Sequence, residues 1–103
     1  SERLPEFPGG KTAMLNFIEK NKKYPFALLD KGIQSGSVQV TFVVKSDGTL
    51  SDIKVKKSTA PELAKEAIRL VSEMPKWIPG KKAGIPSDYT RMINIDFRGI
   101  IIR

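Results

Sequence analysis

The fold is decided by residues 38–55, which read VQVTFVVKSDGTLSDIKV. Apolar and polar side chains alternate on both sides of the central SDGT, as in strands that bury one face. The tetrapeptide Ser46–Thr49 predicts a tight turn, because its glycine can adopt a positive φ. The stretch therefore predicts a β-hairpin whose buried face carries Val38, Val40, Phe42, Val44, Ile53 and Val55.

Upstream of the hairpin, the sequence predicts an extended arm and two helices. Residues 1–10 are rich in proline and end in Gly-Gly, which favours an extended segment that stops in a turn. Residues 11–21 place apolar side chains on one side at helical spacing. A short second helix is predicted over residues 26–31, with Pro25 at its start and Gly32 as its stop.

Downstream of the hairpin, the sequence predicts a third helix that ends before Pro75. Ser58 or Thr59 is expected to cap it. Its apolar stripe consists of Leu63, Ala67, Leu70, Val71 and Met74. Its solvated side is expected to carry Lys65, Glu66, Arg69 and Glu73, with weak ion pairs three and four residues apart.

A third strand is predicted over residues 89–97. Residues 81–87 are polar and contain glycine, so we expect an irregular connection before this strand. Trp77 is expected to pack over one end of the core. The inward positions of the strand are Tyr89, Arg91, Ile93, Ile95 and Phe97. The apolar tail Ile100–Ile102 either extends the strand or is frayed.

These elements fit one α+β domain with a three-stranded antiparallel sheet in the order 2-1-3. The hairpin makes strands one and two antiparallel, and the crossover helix returns the chain so that strand three lies beside strand one. The N-terminal helix and the crossover helix are expected to pack on one face. Strand three is then an edge, and an open edge is a docking site for another strand unless it is blocked.

The composition excludes most catalytic chemistry. The chain has 103 residues, a net charge of +7, no histidine and no cysteine. Disulfides, thiolate and imidazole metal sites, and nucleophiles activated by histidine are therefore excluded. The sequence contains no apolar run long enough to span a bilayer, and its polar, proline-containing start leads us to expect no signal peptide there. We expect a binding module without a cofactor, not an enzyme.

Two weaker features favour ordinary structural explanations. Asp47, Asp52 and Asp88 suggest a cation site, but the first belongs to the hairpin turn and the second to an exposed strand face, so we expect no metal. The basic residues are scattered and do not alternate with aromatic residues. A solvated basic surface is therefore expected, and nucleic acid is not an expected partner.

A series of local motifs identifies the family that the chain resembles. They are PEFPGG at 5–10, NKKYP at 21–25, KGIQSG at 31–36, the hairpin at 38–55, PELAKEAIRLVSEMPKWIPGKKAG at 61–84 and INIDF at 93–97. In order and spacing they resemble the C-terminal domain of the TonB family, in the form common in Bacteroidetes-type bacteria. The resemblance covers about Pro5 to Arg98. We expect an arm over residues 1–10 and a single domain over residues 11–103.

The resemblance implies a periplasmic adaptor. TonB proteins are anchored in the inner membrane by a segment that this chain does not include, and they act with ExbB and ExbD to pass on work derived from the proton-motive force. Their C-terminal domain binds the TonB box, a short segment of outer-membrane TonB-dependent transporters, by strand addition to the third strand. The implied partner-binding residues are Arg91, Met92, Ile93, Asn94, Ile95, Asp96, Phe97 and Arg98.

The resemblance leaves two questions open. The same domain type ends BlaR-type membrane sensor metallopeptidases, so the alternative is a terminal periplasmic domain that binds envelope peptide or peptidoglycan. Whether the isolated domain forms a homodimer is also open.

Overall fold

A computed structural model of the chain describes residues 2–98. The tail Ile100–Ile102, for which the sequence predicts two alternatives, lies outside these residues. The elements are α1 (Gly10–Asn21), α2 (Phe26–Asp30), β1 (Ser35–Val44), β2 (Leu50–Ser58), α3 (Pro61–Ser72), β3 (Gly80–Lys82), β4 (Ile85–Ser87) and β5 (Tyr89–Arg98). No helix among the described residues is both long and apolar enough to cross a membrane.

The main sheet has the order β2-β1-β5, which confirms the predicted topology, with β5 as the predicted third strand. Both strand pairs are antiparallel. The β1–β5 pair is regular over ten residues, from Ser35 opposite Arg98 to Val44 opposite Tyr89. The β1–β2 pair shifts its register twice, and Asp52 has a φ of +50° near the second shift. β5 is therefore an edge strand whose pairing with β1 has no register shift.

The core lies on one face of this sheet, where both predicted helices pack. The inward residues of β1 are almost completely buried, as the alternation predicts. Ile18 comes from α1 and Leu28 from α2. The predicted stripe of α3 contributes Leu63, Ala67, Leu70 and Val71. This arrangement confirms the predicted α+β class.

An ion pair within α3 is also hydrogen-bonded to the end of α1. Arg69 donates to both Glu66 carboxylate oxygens at 2.7 Å and to the Asn21 carbonyl at 2.9 Å. The Lys23 backbone N–H donates to the same carboxylate at 2.6 Å. Glu66 was predicted to be solvated, but its side chain is only 10% exposed because these contacts cover it. Burial raises the pKa of Glu66, yet the Arg69 and Lys23 hydrogen bonds outweigh it and the pKa lies below its ordinary value of 4.5.

Two local predictions were wrong. Residues 81–87 do not form an irregular connection, because β3 and β4 pair as a short hairpin across Ala83 and Gly84, both of which have positive φ. Ala60, not Ser58 or Thr59, is the N-cap of α3, and no side chain caps this helix. The Thr59 hydroxyl instead accepts a hydrogen bond from the Ser37 N–H at 3.1 Å, because it extends the β1–β2 pairing.

The N-terminal arm is paired with the segment that follows α3. Arg3 exchanges two backbone hydrogen bonds of 2.8 Å with Lys81, and Glu6 exchanges bonds of 3.1 and 2.8 Å with Ile78. Phe7 is buried in the core. The arm then turns into α1 at Gly9 and Gly10, which both have positive φ. It therefore lies along the end of the core that faces β5.

Candidate functional site

One edge of β5 has no pairing strand among the described residues. The register shows which backbone groups face it. Ser37 exchanges hydrogen bonds with Thr59 on the β2 side of β1, so Ser37 does not bond to Asp96, the residue opposite it on β5. In an antiparallel pair, residues that do not bond to each other turn both N–H and C=O away from the partner strand. The backbone of Asp96 therefore faces the open side.

The same alternation extends along the whole strand. Because no register shift interrupts the β1–β5 pair, every second residue of β5 repeats the orientation of Asp96. We define the free edge as the outward backbone groups of Thr90, Met92, Asn94 and Asp96. The side chains of these residues lie on the exposed face of the sheet, opposite the core. A donor and an acceptor thus recur along an open strand.

A groove runs along the first half of this free edge. We define the edge groove as the hollow of about 430 Å³ between β5, α1 and the N-terminal arm. β5 provides residues 91–94 as one wall. The rest of the lining comes from the arm, from α1 and from the loop after α3, namely Pro5, Glu6, Phe7, Lys11, Met14, Leu15 and Trp77. The lining is mainly apolar, as is usual for a site that holds a peptide or small molecule.

Aromatic rings join the edge groove to the core. The Trp77 ring lies edge-on to Phe42, with centroids 5.2 Å apart, and edge-on to Phe7 at 6.0 Å. Phe7 also packs against Phe17 at 5.7 Å. The predicted position of Trp77 over one end of the core is confirmed. Its indole N–H is buried without a hydrogen-bond partner among the described residues, although most buried donors are paired.

The charged groups of the groove are mostly basic. Lys11 and Arg91 line it, and Glu6 is the acidic group in the lining. Arg91 lies opposite Phe42 on the core-facing side of β5, at the strand end near Trp77. An occupant with an acidic group at this end would gain favourable electrostatic interactions, and an occupant with a basic group would lose them.

Two of the three carboxylates considered as a cation site, Asp47 and Asp88, bond to residues of the hairpin turn and its base. Asp47 accepts hydrogen bonds from the hydroxyl and the N–H of Thr49 at 2.6 and 3.0 Å, and these bonds lower the pKa of Asp47. Asp88 accepts from the Ser46 N–H at 2.8 Å and pairs with Lys45 at 3.2 Å, which lowers the pKa of Asp88. Within residues 2–98, no group of three acidic side chains is placed to hold a metal ion.

The structure places all eight predicted partner-binding residues, 91–98, on β5. They divide into two sets. Arg91, Ile93, Ile95 and Phe97 face the core side and bond to β1, whereas Met92, Asn94, Asp96 and Arg98 alternate with them on the exposed face. Sequence reasoning missed the opposite wall of the groove. The solitary tryptophan was the one signal that pointed to it.

Comparison with known proteins identifies the family. A family profile described as Gram-negative bacterial TonB protein C-terminal matches residues 20–98. The chain belongs to this family. Domains of the TonB C-terminal family are periplasmic, non-enzymatic interaction modules of energy transduction that engage outer-membrane TonB-dependent receptors. Membership confirms the predicted family and the expectation that the chain is not an enzyme.

A solved structure supports the fold of this TonB C-terminal domain. The NMR solution structure of the Helicobacter pylori TonB C-terminal domain is 23% identical in sequence and superposes with a TM-score of 0.61. The match covers 86% of this chain and 79% of the Helicobacter chain. No curated protein sequence matches the chain.

Proposed function

We propose that this domain captures the TonB box of outer-membrane transporters by adding it as a strand to β5. Work derived from the proton-motive force reaches the domain from ExbB and ExbD through an inner-membrane segment outside this chain. The domain then passes this work on to the transporter. The observation that carries the proposal is the free edge of β5, which presents regularly spaced donors and acceptors next to an apolar groove. Strand addition needs both features, because backbone bonds supply affinity and pockets for alternate side chains supply selection.

The register supports this mode of binding. β5 is bonded to β1 over ten residues, so the central strand of the sheet holds the outward groups of Thr90, Met92 and Asn94 in position for a partner. The groove lies beside residues 91–94, so alternate side chains of an added strand would enter it. The family supplies the class of partner, an outer-membrane TonB-dependent receptor.

The test exploits the orientation of Asn94. Its N–H faces the free edge, so Asn94→Pro removes a donor that the partner needs and leaves the β1 hydrogen bonds in place. We expect Asn94→Pro to weaken binding of a synthetic TonB-box peptide by about tenfold, the effect of one lost backbone bond together with obstruction by the ring. The peptide is taken from a transporter encoded in the same genome. Binding is measured by isothermal titration calorimetry.

The matched control is Asn94→Ala, which changes the side chain and keeps the N–H. It should cost much less affinity than Asn94→Pro, because the backbone donor remains and the Asn94 side chain lies on the exposed face of the sheet. Circular dichroism establishes that both variants are folded. If a folded Asn94→Pro domain binds the peptide as tightly as Asn94→Ala does, the peptide does not dock on this edge. Met92→Pro repeats the test one position along the free edge.

A further inference from the structure

Lys22 lies across the far end of the free edge. Its ammonium donates to the Asp96 carbonyl oxygen at 2.7 Å and to Glu19 at 2.8 Å. It also lies 6.0 Å from the centre of the Phe97 ring. The Lys22 side chain is only 18% exposed, which is low for a surface lysine. The lysine is therefore held against the strand.

This contact occupies an acceptor that an added strand would use. Asp96 is one of the residues whose N–H and C=O face the free edge, together with Thr90, Met92 and Asn94. A strand that paired as far as Asp96 would have to donate to the oxygen that Lys22 already holds. Natural proteins place lysine at open strand edges because a charged side chain there discourages further pairing.

Two separate hollows border β5, one beside residues 91–94 and the other beside residues 96–98. The edge groove borders residues 91–94 and is mainly apolar. A separate recess borders residues 96–98 and is lined by Glu19, Lys22 and the first residues of β1. A bound segment therefore finds the mainly apolar groove beside residues 91–94, whereas the charged side chains of Glu19 and Lys22 lie near residues 96–98.

We propose that Lys22 is a stop that ends the added strand at Asn94 and so fixes the length and register of the bound segment. This inference rests on the proposed function. The open stretch from Thr90 to Asn94 spans about 13 Å at the usual rise of a strand, which accommodates a paired segment of about five residues. Lys22 is thus a positioning residue that determines which part of a longer partner sequence is paired.

The test follows backbone amides of the labelled domain by NMR hydrogen exchange, with the same TonB-box peptide as the probe. In the parent, peptide should protect the Met92 and Asn94 amides and leave the Asp96 amide exchanging as in the free domain. Lys22→Met keeps an unbranched side chain of similar length and removes the ammonium, which lies 6.0 Å from the Phe97 ring centre. In this variant the Asp96 amide should become protected, and affinity for a peptide long enough to reach it should rise about fivefold.

Lys20→Met is the matched control, because it removes the same charge from the exposed side of the same helix end. It should leave the protected set of amides unchanged. Two results would overturn the role of Lys22 and leave strand addition standing. One is protection of the Asp96 amide by the peptide in the parent, and the other is the same set of peptide-protected amides in Lys22→Met as in the parent. If the peptide adds no protection to any outward amide of β5 in any variant, strand addition itself fails.

Discussion

Replacing Phe42 by alanine tests whether the core is centred on β1. The Phe42 side chain is 0% exposed, and its ring packs against Trp77 at 5.2 Å. Truncation of a fully buried phenylalanine costs about 3–5 kcal/mol, because the lost contacts are not replaced when the site cannot collapse. The total free energy of unfolding of a domain of this size is about 5–15 kcal/mol. Phe42→Ala should therefore retain only part of the stability of the parent.

The measurement is the free energy of unfolding from urea denaturation, followed by circular dichroism. Phe26→Ala is a matched control, because this side chain is 82% exposed and its truncation should change stability by less than about 0.5 kcal/mol. If Phe42→Ala does not fold, Phe42→Leu removes less of the packing and should show a smaller, measurable loss. A loss below about 1 kcal/mol for Phe42→Ala, or equal losses at the two positions, would refute the assignment of the buried face.

Two further predictions concern stability. Gly48 has a φ of +87°, and a Cβ there would collide with the Trp77 carbonyl oxygen, whereas Gly84 has a similar φ of +79° and open space around it. Gly48→Ala should therefore lower the free energy of unfolding by more than Gly84→Ala does. Equal losses in urea denaturation would contradict this reasoning. The folded-state pKa of Glu66 lies below 4.5. The ionised side chain therefore contributes to the free energy of unfolding above pH 4.5, and this contribution is lost as the pH falls through the folded-state pKa. The stability difference between the parent and Glu66→Gln should therefore shrink on acidification, and parallel profiles in denaturation at successive pH values would contradict the role of the Arg69 pair.

The strands of the main sheet could be predicted because the pattern that specifies each of them lies within a short stretch of sequence. Alternation in residues 38–55 and 89–97 gives the strands and their buried faces, and Asp47-Gly48 marks the turn. The β3–β4 hairpin could not be predicted in this way, since its strands are three residues long and one contains Pro86. It is held by distant contacts: Lys81 bonds to Arg3 and to the Tyr89 hydroxyl.

The candidate site was only half predictable for the same reason. β5 and its open edge follow from strand order, which the sequence determines. The opposite wall depends on where the arm lies, and Phe7 reaches Trp77 through packing that no local pattern encodes. The position of Lys22 was equally hidden, because its bond to Asp96 joins residues far apart in the chain.

The pairing of the arm also constrains the order in which the molecule assembles. Arg3 and Glu6 pair with Lys81 and Ile78, which follow them by more than seventy residues in the chain. Contacts of such long sequence separation have a high entropic cost of loop closure, so they form after the local hairpin and helices. The wall of the edge groove that the arm supplies is therefore added to a hairpin and helices that have already formed.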